Sequence, residues 1–131
     1  MAEPVQPEES GGFGDVEPIA PAWSIERDHV SGTTRIRLDS GWDTTLPDGG
    51  RSLGINRMLL SVRDDDPASC RAEADGVAEI EHDGDTARAE ARLVFACDRD
   101  VIDVVIEVRV LRDGAPFWER VWRERFDRDL L

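Results

Sequence analysis

The stretch from Ser69 to Cys97, SCRAEADGVAEIEHDGDTARAEARLVFAC, decides the fold. Asp83-Gly84 stands at its middle between two alternating segments. An Asp-Gly pair so flanked is the strongest short-range hairpin signal, because both positions of the turn need φ > 0. Taking the pair as a two-residue loop fixes a register. His82 faces Asp85, Ile80 faces Ala87, Ala78 faces Ala89, Ala74 faces Leu93, Ala72 faces Phe95 and Cys70 faces Cys97. These pairs share one apolar face. The other face sets Glu79 against Arg88 and Asp75 against Arg92, opposite charges directly opposed, as stable sheets prefer.

The pattern extends outward in both directions. Downstream, the corner Asp98-Arg99-Asp100 leads into Val101 to Arg112, where Ile102, Val104, Ile106, Val108 and Val110 alternate and the β-branched content marks a central strand. Asp113-Gly114 is a second turn of the same kind. It predicts Val110 opposite Phe117, Ile106 opposite Val121 and Glu107 opposite Arg120, with Arg109 over Trp118. Upstream, Trp23 and Ile25 alternate, the loop His29-Val30-Ser31-Gly32 follows, and the return strand pairs Ile25 with Ile36, Trp23 with Leu38 and Glu26 with Arg35. Trp42 to Leu46 is a short extended piece, and Pro47-Asp48-Gly49-Gly50 is a turn. Ser52 to Arg63 has a mixed period and reads as a strand with a bulge. The fold class is all-β, an antiparallel meander forming one domain over residues 22–131. Residues 1–21 carry Pro4, Pro7, Pro18, Pro21, Gly11-Gly12 and five acids against no bases, which predicts a flexible leader with Phe13 and Ile19 as docking candidates.

Composition narrows the function classes. A net charge of −13 repels phosphate backbones and anionic lipid, so nucleic-acid and membrane partners are not expected. Charged residues make up 34% of the chain and no apolar run is long enough to span a bilayer, which describes a globular protein. The N-terminus shows no basic flank followed by an apolar block, so the expected location is the cytoplasm. All 16 basic residues are arginine, which reads as GC-rich codon usage.

The order of motifs from Trp23 to the C-terminus resembles the last part of the CocE/NonD family of serine hydrolases, which includes X-Pro dipeptidyl-peptidase-like enzymes. The residues that carry the resemblance are Trp23-Ser24-Ile25 with Arg27-Asp28, Leu46-Pro47-Asp48-Gly49 and Asp66-Pro67-Ala68-Ser69, then Phe95, the strand Val101 to Arg112, and Trp122 with Arg128-Asp129. The resemblance implies a C-terminal β-sandwich of jelly-roll type that packs against a separate α/β-hydrolase domain. In that family the nucleophile sits in a G-x-S-x-G elbow on the hydrolase domain. This sequence contains no such elbow, so no catalytic residue carries over.

Direct tests for chemistry agree with that. The two histidines, His29 and His82, fall at loop tips, where a solvated ring is the usual state, and no serine triad is expected. Two cysteines and two distant histidines lack the spacing of a zinc site. Asp64-Asp65-Asp66 lacks the spaced ligands and glycine of a calcium loop, so neither a metal nor any other cofactor is expected. Cys70 and Cys97 admit three readings: a cross-strand disulfide, reduced thiols packed as small hydrophobes, or a reactive pair, with the compartment argument placing reduced packing first. Trp118 and Trp122 share a strand face with Arg120 and, with Trp42, make a candidate partner surface. The expected function is a non-catalytic accessory domain that binds another chain or a second copy of itself, the partner chain of a split hydrolase being one version. The alternative is a carrier of a small apolar ligand, since the alanines of the central hairpin leave one face shallow.

Overall fold

The computed structural model describes residues 16–18 and 20–129, and every regular element among them is a β-strand. In chain order they are β1 (Val16–Pro18), β2 (Ala22–Asp28), β3 (Thr33–Thr45), β4 (Arg51–Arg63), β5 (Asp66–His82), β6 (Asp85–Cys97), β7 (Val101–Arg112) and β8 (Ala115–Asp127). They form one antiparallel sheet in the order β1-β3-β4-β5-β6-β7-β8, with β2 also paired to β3. From β2 onward each strand pairs with the next in sequence, so no long crossover starts a second layer. The sandwich implied by the family resemblance is thus represented by a single layer among the described residues.

The two Asp-Gly turns form as the sequence demands. Asp83 and Gly84 take φ of 50° and 81°, and Asp113 and Gly114 take 49° and 79°. This is the left-handed pair that lets a two-residue loop match the twist of its strands. The central hairpin has the expected register, with Ile80 on Ala87, Ala74 on Leu93, Glu79 on Arg88 and Asp75 on Arg92. The first hairpin agrees as well, pairing Trp23 with Leu38, Ile25 with Ile36 and Glu26 with Arg35. The expected short piece Trp42 to Leu46 is instead the second half of β3, which runs unbroken because β4 pairs it from Thr33–Arg63 to Thr45–Arg51. The bulge expected in β4 is not in that strand: β4 is regular against β3, and its one register shift against β5, at Val62 and Arg63, leaves the extra residues 67–69 on β5.

Three residues of the expected leader lie beside β3. Val16–Pro18 pairs with Trp42–Thr44, and Pro18 closes this edge strand, where its missing N–H is least costly. Residues 1–15 and 19, with Phe13 and Ile19, lie outside the described residues.

The closing hairpin departs from the sequence expectation by one residue. Arg112 faces Ala115 and Leu111 faces Pro116, but a shift between Val110 and Leu111 then sets Val110 on Trp118, Ile106 on Trp122 and Glu107 on Val121. Phe117 is the extra residue. Pro116 has no N–H to give the ladder, and the pairing breaks beside it. Because strand side chains alternate, this slip moves Trp118, Arg120 and Trp122 from the charged face to the apolar one. Arg109 therefore does not lie over Trp118; it donates to Glu90 at 3.3 Å, and Arg120 takes the cation–π position over Trp122 instead.

The two faces differ in kind. One is a lattice of ion pairs: Arg88 reaches Glu79 at 3.0 Å and Glu90 at 2.9 Å, Arg51 reaches Asp43 at 2.6 Å and Arg125 reaches Asp103 at 2.7 Å. These groups are largely open to solvent, so they set register more than they add stability. The other face is apolar. No hydrophobic side chain among the described residues is buried, and the one buried polar side chain is Thr44, between β1 and β4.

Candidate functional site

Facing pairs repeat from strand to strand, so side chains line up in rows across the sheet. One row runs Trp23, Leu38, Met58, Ala74, Leu93, Ile106, Trp122; a second runs Trp42, Gly54, Ala78, Ala89, Val110, Trp118. Both have tall aromatic ends, and the sheet between is low where β5 and β6 contribute Ala74, Gly76, Ala78, Ala89 and Ala91. The result is a trough of about 780 Å³, walled by Trp23, Leu38, Met58, Leu93 and Ile106, with Ser40 and Asn56 on its margin. The twist of the sheet makes the charged face concave along another line, where Arg88, Glu90, Arg92, Glu107 and Arg109 edge a polar hollow.

The tryptophans expected to share a partner surface divide between two places far apart across the sheet. Trp118 and Trp122 meet on β8 with ring centroids 6.2 Å apart and planes at 55°, and the Arg120 guanidinium lies 4.8 Å from the Trp122 ring. Trp42 stands on β3, five strands away, roughly 24 Å at the usual strand spacing. Its Nε1 donates to Ser52 Oγ at 3.1 Å. Its ring covers Gly54, where a Cβ would come within 2.3 Å of ring carbons. Only a residue without a side chain leaves room for that ring.

Cys70 and Cys97 are free thiols. The hairpin register brings them together at the end of β5 and β6, with Cys97 Sγ 3.3 Å from the Cys70 carbonyl and 3.2 Å from that of Ala68. Burial pushes the Cys70 thiol pKa up and the neighbouring Cys97 adds to this, while Arg128 opposes it. Arg128 ties the same corner together. Its Nη1 donates to the carbonyls of Ala68 at 2.9 Å and Asp98 at 3.0 Å, and its backbone N–H donates to Asp100 at 2.8 Å.

The remaining polar candidates hold turns in place. His82 lies between two carboxylates, Asp48 at 2.9 Å from Nδ1 and Asp83 at 3.1 Å from Nε2. His29 sits in the exposed first loop, where the Asp28 carboxylate accepts the backbone N–H groups of Val30 and Ser31. Those two bonds, Ser31 first, hold the Asp28 pKa below the usual carboxylate range. Asp98 is lowered in the same way by Asp100 and Val101. In the acidic turn, Asp64 pairs with Arg27 at 2.6 Å and Asp65 with Arg63 at 2.7 Å. Among the described residues no cluster of His, Cys, Asp or Glu is arranged to hold a metal ion, and no helix is long and apolar enough to cross a membrane.

No family model, characterised protein or solved structure matches this chain. What the arrangement offers chemically is a surface. Trp23 is 80% exposed, and Trp118, Ile106 and Met58 are also open. Sequence reasoning aligned Trp23 with Leu38 and Ala74 with Leu93 but missed that Met58 joins the two pairs into one row. The signal for it was the length of β4, which matches that of β3.

Proposed function

We propose that this chain is a non-catalytic β accessory domain that works by docking its apolar face onto another protein surface. The observation that carries the reading is the pairing of two facts: one face of the sheet is apolar across its whole width, and no hydrophobic side chain of the described residues is buried. Apolar patches beyond a few hundred Å² on a soluble chain mark interaction sites. The charged face, neutralised by its own ion pairs, is the one suited to water. The order of motifs, which resembles that of the C-terminal module of CocE/NonD hydrolases, supports an accessory role. The test is recovery of the chain from its native source under mild conditions, with the mass of the particle measured. A folded particle with the mass of one chain refutes the reading.

A second reading rests on the trough. Its volume of about 780 Å³ lies within the usual range of small-molecule sites, and its walls are apolar with a polar margin, which suits a fatty acid or aromatic ligand. Titration of tryptophan fluorescence with such probes decides it: saturable quenching supports a carrier, and its absence removes one.

A further inference from the structure

We infer that the surface covering the apolar face is a second copy of this chain, the two sheets packing face to face as a two-fold dimer that completes a β-sandwich. This rests on the docking reading above and names its partner. Ordering a residue costs about 1 to 2 kcal/mol of backbone entropy, and burial of apolar surface is the main term that offsets it. With its apolar side chains at most half-buried, Leu93, Phe95 and Val104 among them, one copy supplies only part of that term. Cover over the apolar face supplies the rest.

The area available fits a permanent dimer. The sheet is seven strands wide and its long strands run 12 to 17 residues, a face about 34 Å by about 40 Å at standard spacings. Two such faces in contact remove on the order of 2,600 Å², inside the range of obligate homodimers and above that of transient complexes. The composition of the face fits as well. Its middle rows carry no charge, and its charged groups stand at the rim: Arg27 near the end of β2, Asp85 opposite His82 at the central turn, Arg112 at the end of β7, and Arg120 and Glu124 on the edge strand β8. A charge-paired partner finds nothing to grip in the middle of the face, whereas an identical face matches it in extent and polarity. Packed inner face to inner face, two copies turn their Arg and Glu lattices outward to water, the layout of an aligned sandwich. The net charge of −13 per chain then makes association tighten as salt screens the repulsion.

The experiment is sedimentation and light scattering of the full chain purified alone, over a hundredfold range of concentration and at two salt concentrations. The expected particle has twice the 14.6 kDa of one chain, persists to low micromolar concentration and is firmer at high salt. Its melting temperature rises with concentration, because unfolding and dissociation are one event. Ile106→Glu and Trp23→Glu on the apolar face shift the particle to monomer or unfold it, while Val121→Glu on the charged face leaves the dimer. In wild-type protein the combined emission of Trp23, Trp42, Trp118 and Trp122, all on the apolar face, is blue-shifted relative to an exposed indole. A chain that is unfolded or aggregated alone and folds only with a different polypeptide overturns the second-copy proposal and leaves the docking reading standing. A folded monomer at all concentrations overturns both.

Discussion

Replacing Gly54 with alanine tests the packing of the apolar face at one point. An alanine in a strand interior ordinarily gains about 0.5 to 1 kcal/mol over glycine through reduced unfolded-state entropy. Here the new Cβ falls within 2.3 Å of the Trp42 ring, so the indole must leave its place. Overpacking of this kind costs about 1 to 3 kcal/mol, and release of the ring also breaks the bond from Nε1 to Ser52, worth about 1 kcal/mol. Trp42 is 37% exposed, which places the packing cost at the lower end and the net loss at about 1 to 2 kcal/mol. In a Trp42→Ala background the obstacle is gone, and the same Gly54→Ala change becomes stabilising by about 0.5 kcal/mol. The assay is urea denaturation followed by far-ultraviolet circular dichroism on the four proteins of the cycle, all at one concentration. A Gly54→Ala protein as stable as wild type, or a substitution that costs the same in both backgrounds, refutes the contact between ring and glycine.

Further outcomes follow from the register, the thiols and the turns. Under mild oxidation, a chain with Arg109→Cys and Glu119→Cys cross-links at least tenfold faster than one with Arg109→Cys and Trp118→Cys, since the first pair faces across β7 and β8 and the second does not; equal rates refute the bulge. In the folded chain at neutral pH the native thiols react with a disulfide reagent several-fold more slowly than in urea, because burial raises the Cys70 pKa; equal rates in both states refute the raised value. Asp28 and Asp98 have folded-state pKa values lowered from 3.8, so the stability they confer is present above that value and is lost as pH falls through the lower folded values. Denaturant midpoints are accordingly flat from neutral pH to about pH 4.5 and fall below about pH 4. Asp98→Asn, which keeps an acceptor for the Asp100 and Val101 N–H groups, makes that fall shallower. An unchanged acid profile in Asp98→Asn refutes the contribution assigned to Asp98.

Much of the sheet was legible in the sequence because its signals are local. Asp83-Gly84 and Asp113-Gly114 fix turns by the φ they require, and alternation with opposed charges fixes the register from Ile80–Ala87 to Ala72–Phe95. Where local rules stopped, the reading slipped. Pro116 announced trouble in β8, but no rule of alternation says on which side of a proline the extra residue falls, and Trp118 was assigned to the wrong face. The continuity of β3 through Gly41 depends on β4 lying alongside, a contact between distant segments. The candidate surface was legible in its residues and not in its layout. Trp42 and Trp118 were visible as aromatics, yet their separation across the sheet follows from the count of strands between them, and the trough exists only because Ala74, Gly76 and Ala91 of β5 and β6 fall between the taller Leu38, Met58, Leu93 and Ile106.

The one-residue bulge at Phe117 behaves as a parity bit for the last strand. Were Phe117 drawn into the ladder opposite Val110, Trp118 would face Arg109, and Trp118, Trp122 and Phe126 would turn to the charged lattice while Glu119, Val121, Arg123 and Arg125 turned to the apolar face. Deleting Phe117 does the opposite: it removes the bulge and leaves Trp118 on Val110 and Trp122 on Ile106. One unpaired residue thus separates a strand that extends the greasy side of this sheet from one that places a row of charges along its border. In a chain that buries no hydrophobic side chain of its own among the described residues, that residue decides which surface a partner meets.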